Sequence, residues 1–258
     1  MILAIDIGNT SIFTGLFRGD KILKTFRFSS DRSRMEDEYA ILILSSLKEF
    51  NIKKDKIKGF CVSSVVPPIT QTILRMLSRY FPSAKVVSVE PGIKTGISIL
   101  YDNPRDVGAD RIANAVGAWK LYRKENQGLI VVDFGTATTF DCISKNGEYL
   151  GGVIVPGIVI SIDALFEKTS KLPRVEIKSP LNVIGRNTVN SIQSGIVYGY
   201  TSLVDGLIER ISDEMGYETF TVATGGYAKL ISSKSKKIKT VDENLNLYGL
   251  KIIFDLNA

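Results

Sequence analysis

The stretch "MILAIDIGNT" (residues 1–10) sets one carboxylate, Asp6, at the end of an apolar run and follows it with Gly8, Asn9 and Thr10. The stretch "LIVVDFGTATTF" (129–140) repeats the theme with Asp133, Gly135 and Thr136. Each apolar run reads as a buried strand. A carboxylate at the C-terminal end of such a strand points to the crevice where open α/β sheets bind ligands. Burying it alone is costly, so it calls for a cation or hydrogen-bond donors. Magnesium with a polyphosphate supplies the cation. Glycine lets the backbone approach phosphate oxygens, and Asn or Thr adds donors. One such turn is an ordinary strand–turn. Two at corresponding places point to two half-domains clamping one nucleotide.

Working outward, "SIFTGLFRGDKILKTFRF" reads as two alternating strands joined at Arg18-Gly19-Asp20. A helix follows, with Ser33 and Glu36 as a capping box and Met35, Tyr39, Leu42, Ile43, Leu47 and Phe50 on one face. Then come the strand "KGFCVSSVV", ended by Pro67-Pro68, a helix over 69–80, the strand "AKVVSV" and a loop over 91–104. Asn103 caps a helix with Pro104 at its first position, expected to reach about Lys124. The theme then restarts: "GLIVVDF", "TATTFDCIS", a turn at Asn146-Gly147, "EYLGGVIVP", a helix over 157–168 and a long helix from about Asn187 to Met215. The strand "TFTVATGG", a short helix, a strand near 238–241 and a helix over 244–251 end the pattern. The expectation is a duplicated α/β fold, divided as 1–117 and 118–258, with a nucleotide cleft between the halves.

Of 258 residues, 44% are hydrophobic and 23% charged, an ordinary globular balance. No apolar run reaches the roughly 18 residues of a membrane span, and the N-terminus lacks a signal-peptide pattern, so the expectation is a cytoplasmic protein with no membrane partner. The net charge is +6, with lysines gathered at 48–58 and 229–239. These read as solvated surface, because no interleaved aromatics or known module marks a nucleic-acid partner. Cys61 and Cys142 sit in apolar strands and read as buried thiols. There are no histidines, so acid–base chemistry falls to carboxylates, Lys, Tyr or Cys. No Gly-Lys dipeptide and no Gly-x-Gly occurs, which excludes a Walker A loop and the Rossmann and protein-kinase glycine loops.

"DIGNT", "DFGTA" and "TGG" (224–226) resemble, in this order, the two phosphate segments and the adenosine segment of the actin-like, sugar-kinase and heat-shock ATPase superfamily. With "VGADRIANAVGA" (107–118), "GGVIVPGI" (151–158) and "IGRNT" (184–188), the chain resembles the type III pantothenate kinases over nearly its whole length. The resemblance implies a duplicated actin-like (ribonuclease H-like) fold. It implies phosphorylation of pantothenate by ATP, the first committed step towards coenzyme A, by a homodimer that needs a divalent metal such as Mg2+ and a monovalent cation, K+ or NH4+.

Carried over residue by residue, the resemblance makes Asp6, Ile7, Gly8, Asn9, Thr10, Ser11, Ile12 and Phe13 the first phosphate-binding segment, with Asp6 near the divalent metal. Asp110 becomes the general base. Tyr101, Gly108, Ala109, Asp110 and Arg111 line the pantothenate pocket, and Thr188 joins it from the neighbouring subunit. Asp133 becomes the ligand of the monovalent cation, and Thr136 a contact of the ATP phosphates.

The residues themselves leave several choices open. Asp106, Asp110 and Asn114 share a face of the expected helix, and Asp110 reads either as a solvated carboxylate or as a base. Arg111 reads as an ion-pair partner of Asp110 or as a site for the substrate carboxylate. Tyr101 reads equally as loop packing. Gly195, Gly199 and Gly206 weaken a helix unless something packs close, either within the chain or across a dimer. A kinase of another small acceptor and a non-catalytic nucleotide-binding regulator stand as the competing readings.

Overall fold

A computed structural model describes all residues 1–258. The chain forms two compact units and does not divide at a single point. The first comprises Met1–Ile97, Asp102–Gly117 and Leu245–Ala258; the second comprises Ser98–Tyr101 and Ala118–Asn244. The terminal segment, expected with the second half, therefore belongs to the first unit. Its helix is apolar along most of its length and covers the first sheet.

The first unit carries β1 (Ile2–Ile7), β2 (Ser11–Arg18), β3 (Lys21–Ser29), α1 (Glu36–Glu49), β4 (Gly59–Ser64), α2 (Pro67–Tyr80) and β5 (Lys85–Ser88). Its sheet runs β3-β2-β1-β4-β5, with β1, β4 and β5 parallel. Helices cover both faces, which is why "ILAI" of β1 reads as an unbroken apolar run. Leu3, Ile5, Ile7, Ile12 and Leu16 pack with Tyr39, Ile43 and Leu47 of α1 and Ile73 and Met76 of α2. On the other side Ala4, Phe17 and Cys61 pack with Ala113 and Val116 and with Leu247, Leu250, Ile253 and Phe254. Burial pushes the Cys61 thiol up to about 12, which leaves it inert.

The residues after β5 differ from expectation. Ser98–Ile99 form a two-residue strand, β6, paired with Glu148 and Tyr149. The helix expected from Pro104 is a single tight turn, Pro104–Asp106, followed by a separate helix α3 (Ala109–Tyr122). Asn103 Oδ1 accepts from Arg105 N at 3.3 Å and Asn103 Nδ2 donates to Asp106 at 2.8 Å, which closes the turn on itself. Val107 is extended, so Asp106 lies outside α3 and does not share a helical face with Asp110. At α1, too, the cap differs. Met35 N donates to Glu38 Oε2 at 2.8 Å, and Ser33 instead donates to Asp31.

The second unit carries β7 (Gly128–Phe134), β8 (Ala137–Ile143), β9 (Glu148–Pro156), α4 (Ile158–Glu167), α5 (Thr188–Met215), β10 (Thr219–Gly225), α6 (Ala228–Ser232) and β11 (Thr240–Val241). Its sheet runs β11-β10-β7-β8-β9-β6. Read from β9, the order 9-8-7-10-11 is the order 3-2-1-4-5 of the first sheet, with β6 added at the edge. The duplication is thus carried by topology as well as by the repeated acidic turns. The last helix, α7 (Leu245–Asn257), follows β11 as α3 follows β5, and extends beyond the expected end at residue 251. Within α5, nothing in the chain approaches Gly195, Gly199 or Gly206 closely enough to meet an added Cβ.

Candidate active site

Asp6 is the last residue but one of β1, opposite Phe13 of β2 and Ser63 of β4. Directly opposed residues share a face of the sheet. Ser63 Oγ accordingly donates to Asp6 Oδ1 at 2.6 Å. Sequence reasoning passed over Ser63; its signal was a hydroxyl at the end of the apolar strand "FCVSS". The turn after β1 is closed by Gly8 N donating to Ser11 O at 3.1 Å. Ser30 braces it, through N to Thr10 O at 3.1 Å and Oγ to Gly8 O at 2.5 Å. Asn9 and Thr10 are left exposed at the tip. The side chains of Ile7 and Ile12 are buried in the core, so these two positions can offer a ligand only backbone. Phe13, like Ala109 and Ile112, packs against the buried cluster that contains Ala113 and Val116.

Asp110 is the second residue of α3. A carboxylate there meets the positive end of the helix. Its Oδ1 accepts from Arg111 N at 2.8 Å, and its carbonyl accepts from Asn246 Nδ2 of α7 at 3.1 Å. A Cβ on Gly108 would stand 2.5 Å from Asp110 Oδ1, so the carboxylate occupies the space a side chain would take. Burial pushes the Asp110 carboxyl above its ordinary value, against the opposing pull of the Arg111 amide and charge. That is the direction expected of a group that takes a proton during turnover. Arg111 is itself buried.

In the second unit Asp133 holds the position in β7 that Asp6 holds in β1, opposite Thr139 of β8 and Thr224 of β10. Gly225 has φ +91°, and a Cβ there would stand 2.5 Å from Asp133 Oδ1. Thr136 is exposed on the turn after β7, and the backbone of Gly157 presses on it: an added Cβ would sit 2.0 Å from Thr136 O. Tyr101 follows β6, held by Leu100 N donating to Tyr149 O at 2.9 Å and by a tilted ring contact with Tyr149, centroids 6.3 Å apart. The hydroxyl of Tyr149 donates to buried Asp141 at 2.8 Å. Sequence reasoning passed over this pair, although a carboxylate inside the apolar "TTFDCI" was the signal.

Thr188 opens α5, capped by Asn187 Oδ1 accepting from Asn190 N at 2.9 Å. It lines a cavity of about 640 Å³ with Leu165, Leu172, Arg186, Ile192 and Ile196. Neither Asp133 nor Thr136 lines that cavity. The first unit thus holds residues 6–13 and 108–111, and the second holds Tyr101, Asp133, Thr136 and Thr188.

No three His, Cys, Asp or Glu side chains gather as a metal cage. The donor set still fits a magnesium–polyphosphate, because Mg2+ on phosphates needs only one or two protein carboxylates and keeps its waters.

The model of the type III pantothenate kinase family matches residues 2–210. The chain belongs to the type III pantothenate kinase family. The family enzyme of that name from Anaeromyxobacter sp. (strain Fw109-5) is 52% identical over 257 residues, covering 100% of both chains. That from Myxococcus xanthus (strain DK1622) is 51% identical, covering 100% of this chain and 99% of the relative. The chain is accordingly a phosphotransferase, and no helix is long and apolar enough to cross a membrane. Among solved structures, acetate kinase from Entamoeba histolytica aligns with TM-score 0.53 at 13% identity, covering 99% of each chain. At that identity it shows the fold, which is the actin-like ATPase and sugar-kinase fold.

Proposed function

We propose that the chain transfers the γ-phosphoryl group of ATP to the primary hydroxyl of pantothenate, the first step towards coenzyme A. Asp110 accepts the hydroxyl proton as that oxygen attacks phosphorus, and ADP departs. The observation that carries this is Asp110 itself. It is a carboxylate fixed at a helix start by the Arg111 amide, with its proton affinity raised by burial, in a chain without histidine. Phosphoryl transfer needs mostly positioning and charge neutralisation. Residues 6–13 and Thr136 hold the ATP phosphates. Tyr101, Gly108, Ala109, Asp110, Arg111 and Thr188 form the pantothenate site. Asp6 serves as ligand of a divalent metal and Asp133 of K+ or NH4+, which together neutralise phosphate charge.

The same reading makes the protein a cytoplasmic homodimer. Support comes from the face around Thr188, where Leu181, Ile184 and Val189 are exposed and Gly195 and Gly199 present bare backbone. Such a surface suits a second copy, which would bury it and complete the pocket.

The test is ADP release with ATP, magnesium and pantothenate, in potassium and again in sodium alone. Turnover that needs pantothenate and rises with potassium is the expected outcome. A folded dimer that releases no pantothenate-dependent ADP in either salt overturns the choice of acceptor.

A further inference from the structure

Directly opposed residues set a row across one face of the first sheet. Arg27 of β3 lies opposite Phe13 of β2, Phe13 opposite Asp6 of β1, and Asp6 opposite Ser63 of β4. Strands are about 4.8 Å apart, so the backbone positions of Arg27 and Asp6 are on the order of 10 Å apart, flanking the mouth of the turn at residues 8–10. The Arg27 guanidinium lies over the Phe13 ring, 4.1 Å from its centroid, and Nη1 donates to Ser11 Oγ at 3.1 Å. Both partners are neutral. The side chain is exposed, yet two contacts hold it beside the turn with most of its donors still directed to solvent.

The corresponding row of the second sheet is Ile154, Thr139, Asp133 and Thr224. Strand order and the acid at the third place are kept, while the arginine–phenylalanine pair is absent. The fold therefore does not require a cation at this place. Residues 6–13 contain no Lys or Arg, so the segment has no positive charge of its own.

We propose that Arg27 is the cationic phosphate contact of the first acidic turn, gripping the polyphosphate of the bound nucleotide from the side opposite Asp6. This rests on the reading of residues 6–13 as a phosphate segment. Ser11 and Phe13 then act as supports that aim the fork. Arginine suits the place because its planar fork can bond a phosphate in two directions while one nitrogen stays on Ser11.

The test compares Arg27→Gln and Arg27→Lys with the unaltered protein, by equilibrium binding of ATP and of adenosine and by steady-state turnover. Gln can keep a bond to Ser11 and loses the charge. The expected result for Arg27→Gln is an ATP affinity about tenfold or more weaker, unchanged adenosine affinity, a raised KM for ATP and an unchanged KM for pantothenate. Arg27→Lys recovers most of the ATP affinity. A general structural role would weaken adenosine binding as well, and that result, or unaltered ATP binding in Arg27→Gln, overturns the proposal. So does failure of the unaltered protein to bind ATP more tightly than adenosine. Binding of ATP without pantothenate-dependent turnover would instead overturn the acceptor and leave Arg27 judged by the binding data.

Discussion

The two sheets share a strand order, and β1 and β7 each carry an acid one residue before their end, yet the surroundings of that acid differ. A hydroxyl residue of the next parallel strand stands opposite each acid, Ser63 for Asp6 and Thr224 for Asp133, and the difference begins beyond it. One residue further on, Ser64 accepts from Val66 N and Thr70 Oγ1 at the start of the 14-residue α2. At the matching place Gly225 turns with φ +91° beside the Asp133 carboxylate, ahead of a five-residue α6. The helices that follow each sheet diverge in the same way. The second residue of α3 is Asp110, and the second residue of α7 is Asn246, whose amide holds the carbonyl of Asp110. Duplication supplied one frame twice. Side chains at two matching places then diverged, with Ser64 and Asp110 in one copy and Gly225 and Asn246 in the other.

That division can be broken most severely at Asp110. Asp110→Asn gives α3 the side chain that α7 already has at its second residue. It is expected to lower turnover by about 10²–10⁴-fold while ATP binding, measured by calorimetry, stays within about twofold. Retained turnover would rule out the proposed role of Asp110 as base and with it the proposed functional contrast between the two helices.

A smaller effect separates the two strand exits. Gly225→Ala places a Cβ in a left-handed conformation and against Asp133, and should cost about 1–3 kcal/mol of stability, read by urea unfolding. Ser64→Ala removes one hydroxyl and should cost about 1 kcal/mol. Equal costs would mean that the two exits are built alike after all.

The smallest effect concerns stability against pH. Burial raises the Asp110 carboxyl, so the folded protein holds its proton where the unfolded chain has released it. Stability linked to this group is fully present below the unfolded value, about 3.9, and is lost as pH rises through the folded value. Asp110→Asn should therefore raise Tm slightly at pH 7 and leave it unchanged below pH of about 3.5. A variant less stable than the unaltered protein at pH 7 would show that the ionised carboxylate makes favourable contacts that outweigh its burial.

Much of this architecture was legible in the chain. The apolar runs, the alternating hairpins at Gly19 and Gly147 and the long helix to Met215 follow from periodicity and turn chemistry, which are local. The repeated Asp-turn placed Asp6 and Asp133 correctly at strand ends. The capping of α1 was misread because Ser33 had a nearer partner, Asp31, for its amide and hydroxyl. The helix before Asp110 was drawn too long because Asn103 and Pro104 are a valid start signal, here spent on one turn.

The sequence by itself determined the repeated strand–acid–turn units, the absence of histidine chemistry and the order of the elements, since these depend on neighbours within a few residues. Only the tertiary structure decided that the last helix covers the first sheet, that Ser63 meets Asp6 and that Arg27 lies over Phe13. Those pairings join residues that are distant in the chain. They are fixed by strand register and by the burial of α7 on an apolar face, and neither leaves a local mark on the sequence.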